Sequence, residues 1–190
     1  IAIPKGQQIS KNGIWVGDYI YEDLHEDGVI DEKDRTFLGN PAPKFTFGFN
    51  NYFAYKGFDL NIFLNGSVGN KAVNLIRRTF TDPMRNSNLL KEATDIALIG
   101  MHDPEVGDEE LSNVYIVNAD RAKVQRVTTS SANDNNRISS RFIEDASYLR
   151  IKNISLGYTF PRKWLRHLQI DNIRLYVNIQ NLCTISGYKG

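Results

Sequence analysis

Segment 23–34 holds the residues of this chain whose types and spacing best match a metal-binding loop. Its four aspartates occupy positions 1, 5, 9 and 12 of twelve residues, and Gly28 stands at position 6, where calcium loops turn sharply. The backbone carbonyl of Val29 would be the ligand at position 7. Because such oxygen donors suit a hard cation, the spacing predicts a Ca²⁺ site. The predicted ligands are Asp23, Asp27, Val29, Asp31 and Asp34.

Two residues of this loop depart from the calcium pattern. His25 stands at position 3, and an imidazole is a poor ligand for a hard cation. Asp34 ends the loop with a shorter side chain than the usual bidentate glutamate. An acidic turn whose aspartates accept hydrogen bonds from nearby backbone amides would have the same composition. The sequence leaves both interpretations open.

No other spacing in the sequence supports catalysis or a second kind of site. The three histidines, His25, His102 and His167, have no zinc-binding spacing, and the single Cys183 excludes an intrachain disulfide framework. Neither a nucleophile motif nor a glycine-rich phosphate loop is present. The net charge of +1 gives no electrostatic basis for nucleic-acid binding. We therefore expect neither an enzyme nor a nucleic-acid-binding protein.

The elements that would position any site are long strands with alternating polarity. From Lys44 to Lys56 the aromatic residues fall mainly on odd positions, and small or polar residues fall mainly on even ones. Residues 58–67 alternate again after Lys56-Gly57, a two-residue turn candidate. Together these runs predict a β-hairpin over residues 44–70.

Two later runs also have strand character. In segment 147–160 the apolar positions change from odd to even, so we expect a β-bulge near Asn153 that keeps them on one face. Residues 172–183 alternate without interruption. Between these runs lies a short basic connector at 161–171, whose Trp164 fits an interfacial aromatic belt. Residues 71–140 show only short helical patterns.

Long alternating strands suit either a soluble β-sandwich or a transmembrane β-barrel. A barrel strand needs about 9–11 residues to cross the membrane, and barrels combine short turns on one side with long loops on the other. The arm lengths, the tight turn and the excursion of about seventy residues favour the barrel. The sequence contains no run of 18 apolar residues, so we expect no transmembrane helix. The residues expected to face lipid are Phe45, Phe47, Phe49, Leu60, Ile62, Leu64, Val177 and Ile179.

Four sequence blocks, in order, resemble the C-terminal barrel region of SusC/RagA-type TonB-dependent outer-membrane transporters. They are the acidic stretch and first strand at 23–49, with DGVID and GNPAPKFTFGF; FDLNIFLNGSVGN at 58–70; FIEDASYLRIKNISLGY at 142–158; and YVNIQNL at 176–182. Each block alone would be weak, but their order across most of the chain is specific. Residues 1–15 and 71–140 carry no part of the resemblance.

The resemblance implies an all-β section of a 22-stranded antiparallel barrel in the bacterial outer membrane. It further implies import of oligosaccharides or peptides with a SusD-like surface lipoprotein, powered by the TonB complex through an N-terminal region that these residues do not include. The family's plug domain and final strands are likewise expected to lie outside the chain.

The resulting organisation has four segments. We expect an extracellular loop region at 1–43 containing the acidic loop 23–34, a barrel hairpin at 44–70, a long extracellular loop at 71–140 and further barrel strands at 141–190. The alternative is a secreted β-sandwich that binds glycans and carries a calcium loop. That alternative requires the chain to fold alone in water.

Overall fold

The computed structural model describes residues 1–189, and Gly190, the last residue of the expected barrel segment 141–190, lies outside them. The chain forms two compact units. The first, which we call the loop unit, contains Ile1–Leu38 and Asn74–Phe142. The second, the sheet unit, contains Gly39–Val73 and Ile143–Lys189.

Strands make up most of the regular secondary structure of the described residues. They are β1 (Ile3–Pro4), β2 (Val29–Ile30), β3 (Phe45–Tyr55), β4 (Phe58–Val68), β5 (Lys71–Val73), β6 (Ile99–Met101), β7 (Val114–Ile116), β8 (Ile143–Asp145), β9 (Tyr148–Thr159) and β10 (Arg174–Ser186). The helices are α1 (Leu75–Phe80) and α2 (Arg162–Leu165), with 3-10 turns at Glu32–Asp34, Lys91–Thr94, Leu111–Asn113, Ser140–Phe142 and Arg166–Leu168. No helix in residues 1–189 combines the length and the apolar character needed to cross a membrane.

The sheet unit is built on four antiparallel strands in the order β10-β9-β4-β3. They have 13, 12, 11 and 11 residues respectively, which confirms the long strands predicted from the alternation. A short pair, β5 with β8, continues from the end of the sheet where β4 finishes and β9 begins.

The hairpin turn between β3 and β4 lies at Lys56 and Gly57, as predicted. Both residues have positive φ, 47° and 91°, which is the backbone twist that two-residue hairpins favour. A Cβ on Gly57 would also lie 2.7 Å from the carbonyl oxygen of Thr159. Glycine is therefore needed there for both conformation and space.

The predicted bulge near Asn153 is confirmed. Asn153 pairs with Phe63 of β4, but the next paired residue of β9 is Ile151, so Lys152 is the extra residue. The neighbouring β10 changes register at the same level and places Asn181 at a φ of 51°. This shift returns the apolar residues on the two sides of the bulge to one face.

The loop unit joins two segments that are far apart in the sequence. Its buried core includes Trp15 of the first segment and Val124 and Phe142 of the second. A buried ion pair joins Asp18 to Arg126 at 3.0 Å, with side chains only 2% and 9% exposed. The excursion is thus a folded body that includes the start of the chain. Besides helical turns at Leu75–Phe80 and Lys91–Thr94, it contains the short strands β6 and β7, which the sequence patterns did not predict.

Candidate functional site: a sheet with two contrasting faces

One face of the four-stranded sheet is almost entirely apolar. Directly paired residues of antiparallel strands share a face, so the pairings Phe49–Leu64, Leu60–Leu156 and Ile62–Ile154 define it. The pairs of β9 with β10 extend this face through Val177 and Ile179. The structure brings all eight predicted lipid-facing residues together here: Phe45, Phe47, Phe49, Leu60, Ile62, Leu64, Val177 and Ile179.

This apolar face is exposed within the described residues. Phe49 has 57% of its surface accessible and Val177 has 65%. A soluble domain would bury such a face, because exposed apolar patches beyond a few hundred square ångströms are uncommon in soluble monomers. Asn51, paired with Ile62, is the polar exception on the face.

Aromatic side chains cluster where the sheet reaches the tight turn. The ring of Phe58 lies 4.5 Å from that of Tyr158, which lies 5.0 Å from Phe160. Phe160 in turn lies 6.4 Å from the half-exposed Trp164 of the connector. An aromatic group at one end of an apolar band is the arrangement found at membrane–water interfaces.

The opposite face is polar, and an ion pair spans three of its strands. Arg174 of β10 donates two hydrogen bonds to Asp59 of β4, at 2.5 and 3.1 Å. The strand between them carries Gly157, where a Cβ would lie 2.6 Å from both charged groups. A side chain at position 157 would therefore displace one or both members of the pair from this geometry.

Amide and hydroxyl groups occupy most of the remaining polar face. Arg150 of β9 donates to the hydroxyl of Thr184 on β10 at 2.9 Å. The side-chain oxygens of Asn61 and Asn65 on β4 are buried and accept no hydrogen bond from the described residues. These oxygens retain hydrogen-bonding capacity for groups that lie outside the described residues.

The two ends of the sheet have very different connections. The turn at 56–57 and the connector 160–173 both lie at the end marked by Phe58 and Tyr158. At the other end the chain leaves β4 at Val68 and returns to β9 only at Tyr148. Short connections thus lie at one end of the sheet, and the long excursion leaves from the other end.

The acidic loop is held by its own backbone amides. Each predicted carboxylate accepts at least one hydrogen bond from a backbone N–H group. Asp23 accepts from Gly28 at 2.8 Å, Asp27 from Val29 at 3.0 Å and Asp31 from Lys33 at 2.8 Å. Asp34 accepts from Leu24, His25 and Asp31 at 2.9, 3.2 and 2.8 Å. The hydrogen bond from the Asp31 amide is the main cause that lowers the pKa of Asp34.

No metal-like grouping of three or more histidine, cysteine, aspartate or glutamate side chains occurs in residues 1–189. The loop as arranged fits the hydrogen-bonded acidic turn better than an ion cage. Calcium binding by Asp23, Asp27, Val29, Asp31 and Asp34 stays a prediction.

The chain is similar to TonB-dependent receptors. No family model matches the chain. The chain is 33% identical over 174 residues to TonB-dependent receptor P3 of Formosa agariphila, a match that covers 92% of this chain and 15% of that protein. It is 25% identical to TonB-dependent receptor SusC of Bacteroides thetaiotaomicron over 172 residues, 90% of this chain and 15% of SusC. It is a section of a SusC/RagA-type transporter.

The solved structures show the fold of this SusC/RagA-type section. The chain superimposes on the RagAB peptide importer in its closed-closed state with a TM-score of 0.64 and 22% identity, over 92% of this chain and 18% of that one. The open-open state gives a TM-score of 0.58 at 20% identity. The sheet therefore has the fold of part of a barrel wall. As a section related to TonB-dependent receptors, it belongs to the bacterial outer membrane.

The section spans only about 15% of the length of the curated relatives that it matches. TonB-dependent transporters are not enzymes, in agreement with the sequence expectation.

Sequence reasoning missed the ion pair between Asp59 and Arg174. Its signal was available: each charge stands at a polar position of its strand next to a short connection, and Gly157 interrupts the side chains between them.

Proposed function

We propose that the parent protein imports nutrients across the outer membrane and that this section forms part of its barrel wall. The separation of an apolar face from a polar face across four long strands carries the proposal. The apolar face contacts lipid, and the polar face lines the lumen with Asp59, Arg174 and the amides of β4. The turn at 56–57 then lies on the periplasmic side, and the long excursion is extracellular.

The β-sandwich alternative needs a second sheet packed on the apolar face. Within residues 1–189 the other sheets are two-stranded, with two or three residue pairs each. These short pairs are too small to cover strands of 11–13 residues. The likeness to the RagAB importer further favours the barrel.

A matched pair of substitutions in β4 tests which face meets lipid. Leu60→Arg places a charge on the apolar face, where arginine at mid-membrane costs about 2–4 kcal/mol. Asn61→Arg is the control, because the neighbouring residue faces the lumen. We expect folded full-length protein in outer membranes to fall strongly for Leu60→Arg and much less for Asn61→Arg. Equal amounts of the two variants would contradict the assignment of faces.

We further propose that the loop unit meets a SusD-like surface lipoprotein on the extracellular side, while TonB acts through a region outside this chain. The proposed cargo is an oligosaccharide or a peptide. Support comes from apolar side chains that stay exposed on the loop unit, including Leu75, Ile76, Leu89 and Leu90. Such side chains fit the core of a protein interface.

Capture of the lipoprotein by the full-length transporter tests this contact. The double substitution Leu89→Asp/Leu90→Asp should reduce capture and growth on the cognate nutrient, while Asn86→Asp, a polar exposed control nearby, should leave both unchanged. Unchanged capture and growth for the double variant would remove this surface from the interface.

A further inference from the structure

A cavity of about 420 Å³ lies within the loop unit. The lining residues come from the start of the chain and from the acidic connection between β6 and β7. They are Ile9, Ser10, Lys11, Asn12, Trp15, Glu109 and Leu111. Its size falls in the range of small-ligand sites, about 300–1,000 Å³.

Hydrogen bonds fix both walls of the cavity. On one side, Ser10 and Ile14 are joined through their backbones at 3.0 Å, and the buried Arg126 donates to the carbonyls of Lys11 and Gly13. On the other side, the amide of Asn113 donates to the carbonyls of Asp103 and Gly107 at 2.7 and 2.6 Å. The cavity is therefore built from held segments.

The charges around the cavity are unequally paired. Lys11 lies 2.6 Å from Asp108 and is neutralised by it. Glu109 makes no hydrogen bond or ion pair with any residue that the structure describes. The unpaired charge among the lining residues is thus a carboxylate.

The apolar lining of the cavity comes from Trp15, Ile9 and Leu111. The Trp15 side chain is 93% buried, since only 7% of it is exposed, and its indole N–H donates to none of the described residues. Ile9 and Leu111 stand beside it and remain about half exposed. Apolar lining residues together with an unpaired carboxylate suit a ligand that is apolar along its length and cationic at its end.

We propose that this cavity binds an organic cation on an apolar stem, chemically the side chain of a lysine. The ammonium would pair with Glu109, and the methylene stem would lie against Trp15, Ile9 and Leu111. Ser10 and Asn12 supply neutral polar groups for the adjoining amides. Because the site lies on the loop unit, it does not depend on which cargo the barrel carries or on whether import occurs.

Saturation-transfer NMR on the full-length protein in detergent tests the proposal. The probe is N-acetyl-lysine methylamide, and the uncharged comparison is N-acetyl-norleucine methylamide. We expect transfer to the lysine methylenes, with apparent affinity reduced roughly tenfold by Glu109→Gln, as for loss of one charge-assisted hydrogen bond. Glu110→Gln is the matched control, because this neighbouring exposed carboxylate does not line the cavity. It should leave binding unchanged.

A second titration separates a free amine from a lysine within a polypeptide. Here the probe is a ten-residue peptide with one central lysine, compared with the same peptide carrying acetyl-lysine. Binding of the small probe identifies a small-molecule site, whereas binding of the peptide alone identifies a polypeptide ligand, and either result must be sensitive to Glu109→Gln. Equal binding of charged and uncharged probes, or no effect of Glu109→Gln, would overturn the proposal.

Discussion

At the level of single residues, burial separates the ion pairs that matter from those that do not. Asp18 and Arg126 are nearly inaccessible and satisfy each other at two contacts, whereas the pair of Lys123 with Asp95 is largely exposed. Removing one member of a buried pair leaves an uncompensated charge, but exposed pairs contribute little. The sequence could not reveal the buried pair, because its members are 108 residues apart.

Arg126→Met should therefore destabilise the loop unit by about 3–5 kcal/mol. Lys123→Met, the exposed control, should cost about 0–1 kcal/mol. Hydrogen exchange of residues 11–21 and 118–135 in the full-length protein measures the difference. Similar exchange in the two variants would show that the buried pair does not hold these segments together.

A second residue-level prediction concerns pH. Hydrogen bonds from Ser147, and then the interaction with Lys71, lower the pKa of Asp145 to about 2. Because this pKa is below the unfolded value of about 3.9, the ionised form stabilises the β5–β8 pair above pH 4. That stabilisation is lost as the pH falls from about 4 to about 2.

In the wild-type protein, the protection of the β5 and β8 amides from hydrogen exchange should accordingly decrease as the pH falls from about 4 to about 2. Ser147→Ala removes the side-chain contribution, so its transition should begin at a higher pH. A transition that is identical in the variant would show that Ser147 does not set the pKa of Asp145.

The acidic loop gives a third test at this scale. Each of its four aspartates already accepts a hydrogen bond from a backbone amide. We therefore expect that removing Ca²⁺ with a chelator leaves the rate of proteolysis in segment 23–34 unchanged. Protection that depends on added Ca²⁺, and is lost in Asp27→Asn, would instead establish the calcium site.

At the level of elements, local patterns predicted what depends on neighbouring residues. The period-two alternation placed β3, β4 and β10 and grouped the eight apolar residues, and the change of register in segment 147–160 located the bulge. The loop unit was not predicted, because its structure rests on contacts between distant polar groups such as Tyr19 with Asn133 and Asn135. Such pairings leave no periodic trace in a sequence.

The turn at Lys56 and Gly57 carries the element-level prediction. Gly57→Val introduces a β-branched residue at a φ of 91°, with backbone only 2.7 Å from the new Cβ. We expect less folded barrel on heat-modifiability gels. Lys56→Asn is the control, because asparagine tolerates positive φ, and it should assemble normally. Normal assembly of Gly57→Val would show that the turn tolerates rearrangement.

At the level of the whole molecule, the sheet is open on both sides. Within residues 1–189, β3 and β10 each have a strand partner on only one edge. Unpaired edges of 11 and 13 residues cannot be exposed in lipid and promote association in water. The section therefore depends on the rest of the barrel to pair its edges.

Expressed by itself in buffer, the section should form aggregates instead of a monomer. Light scattering with and without detergent measures this, and the full-length protein in detergent is the control. A soluble monomer with a cooperative thermal transition would contradict the barrel assignment and revive a self-contained module.

The ion pair over Gly157 also has a mechanical consequence. Ordinary hydrogen bonds of a sheet join only adjacent strands, so each interface can slide independently under load. Asp59 and Arg174 join β4 to β10 across the strand between them, and any shear of β9 along its axis must then be shared by both of its neighbours. We therefore expect the pair to resist sliding of β4 relative to β10 at the end of the sheet that carries the two-residue turn and the short connector.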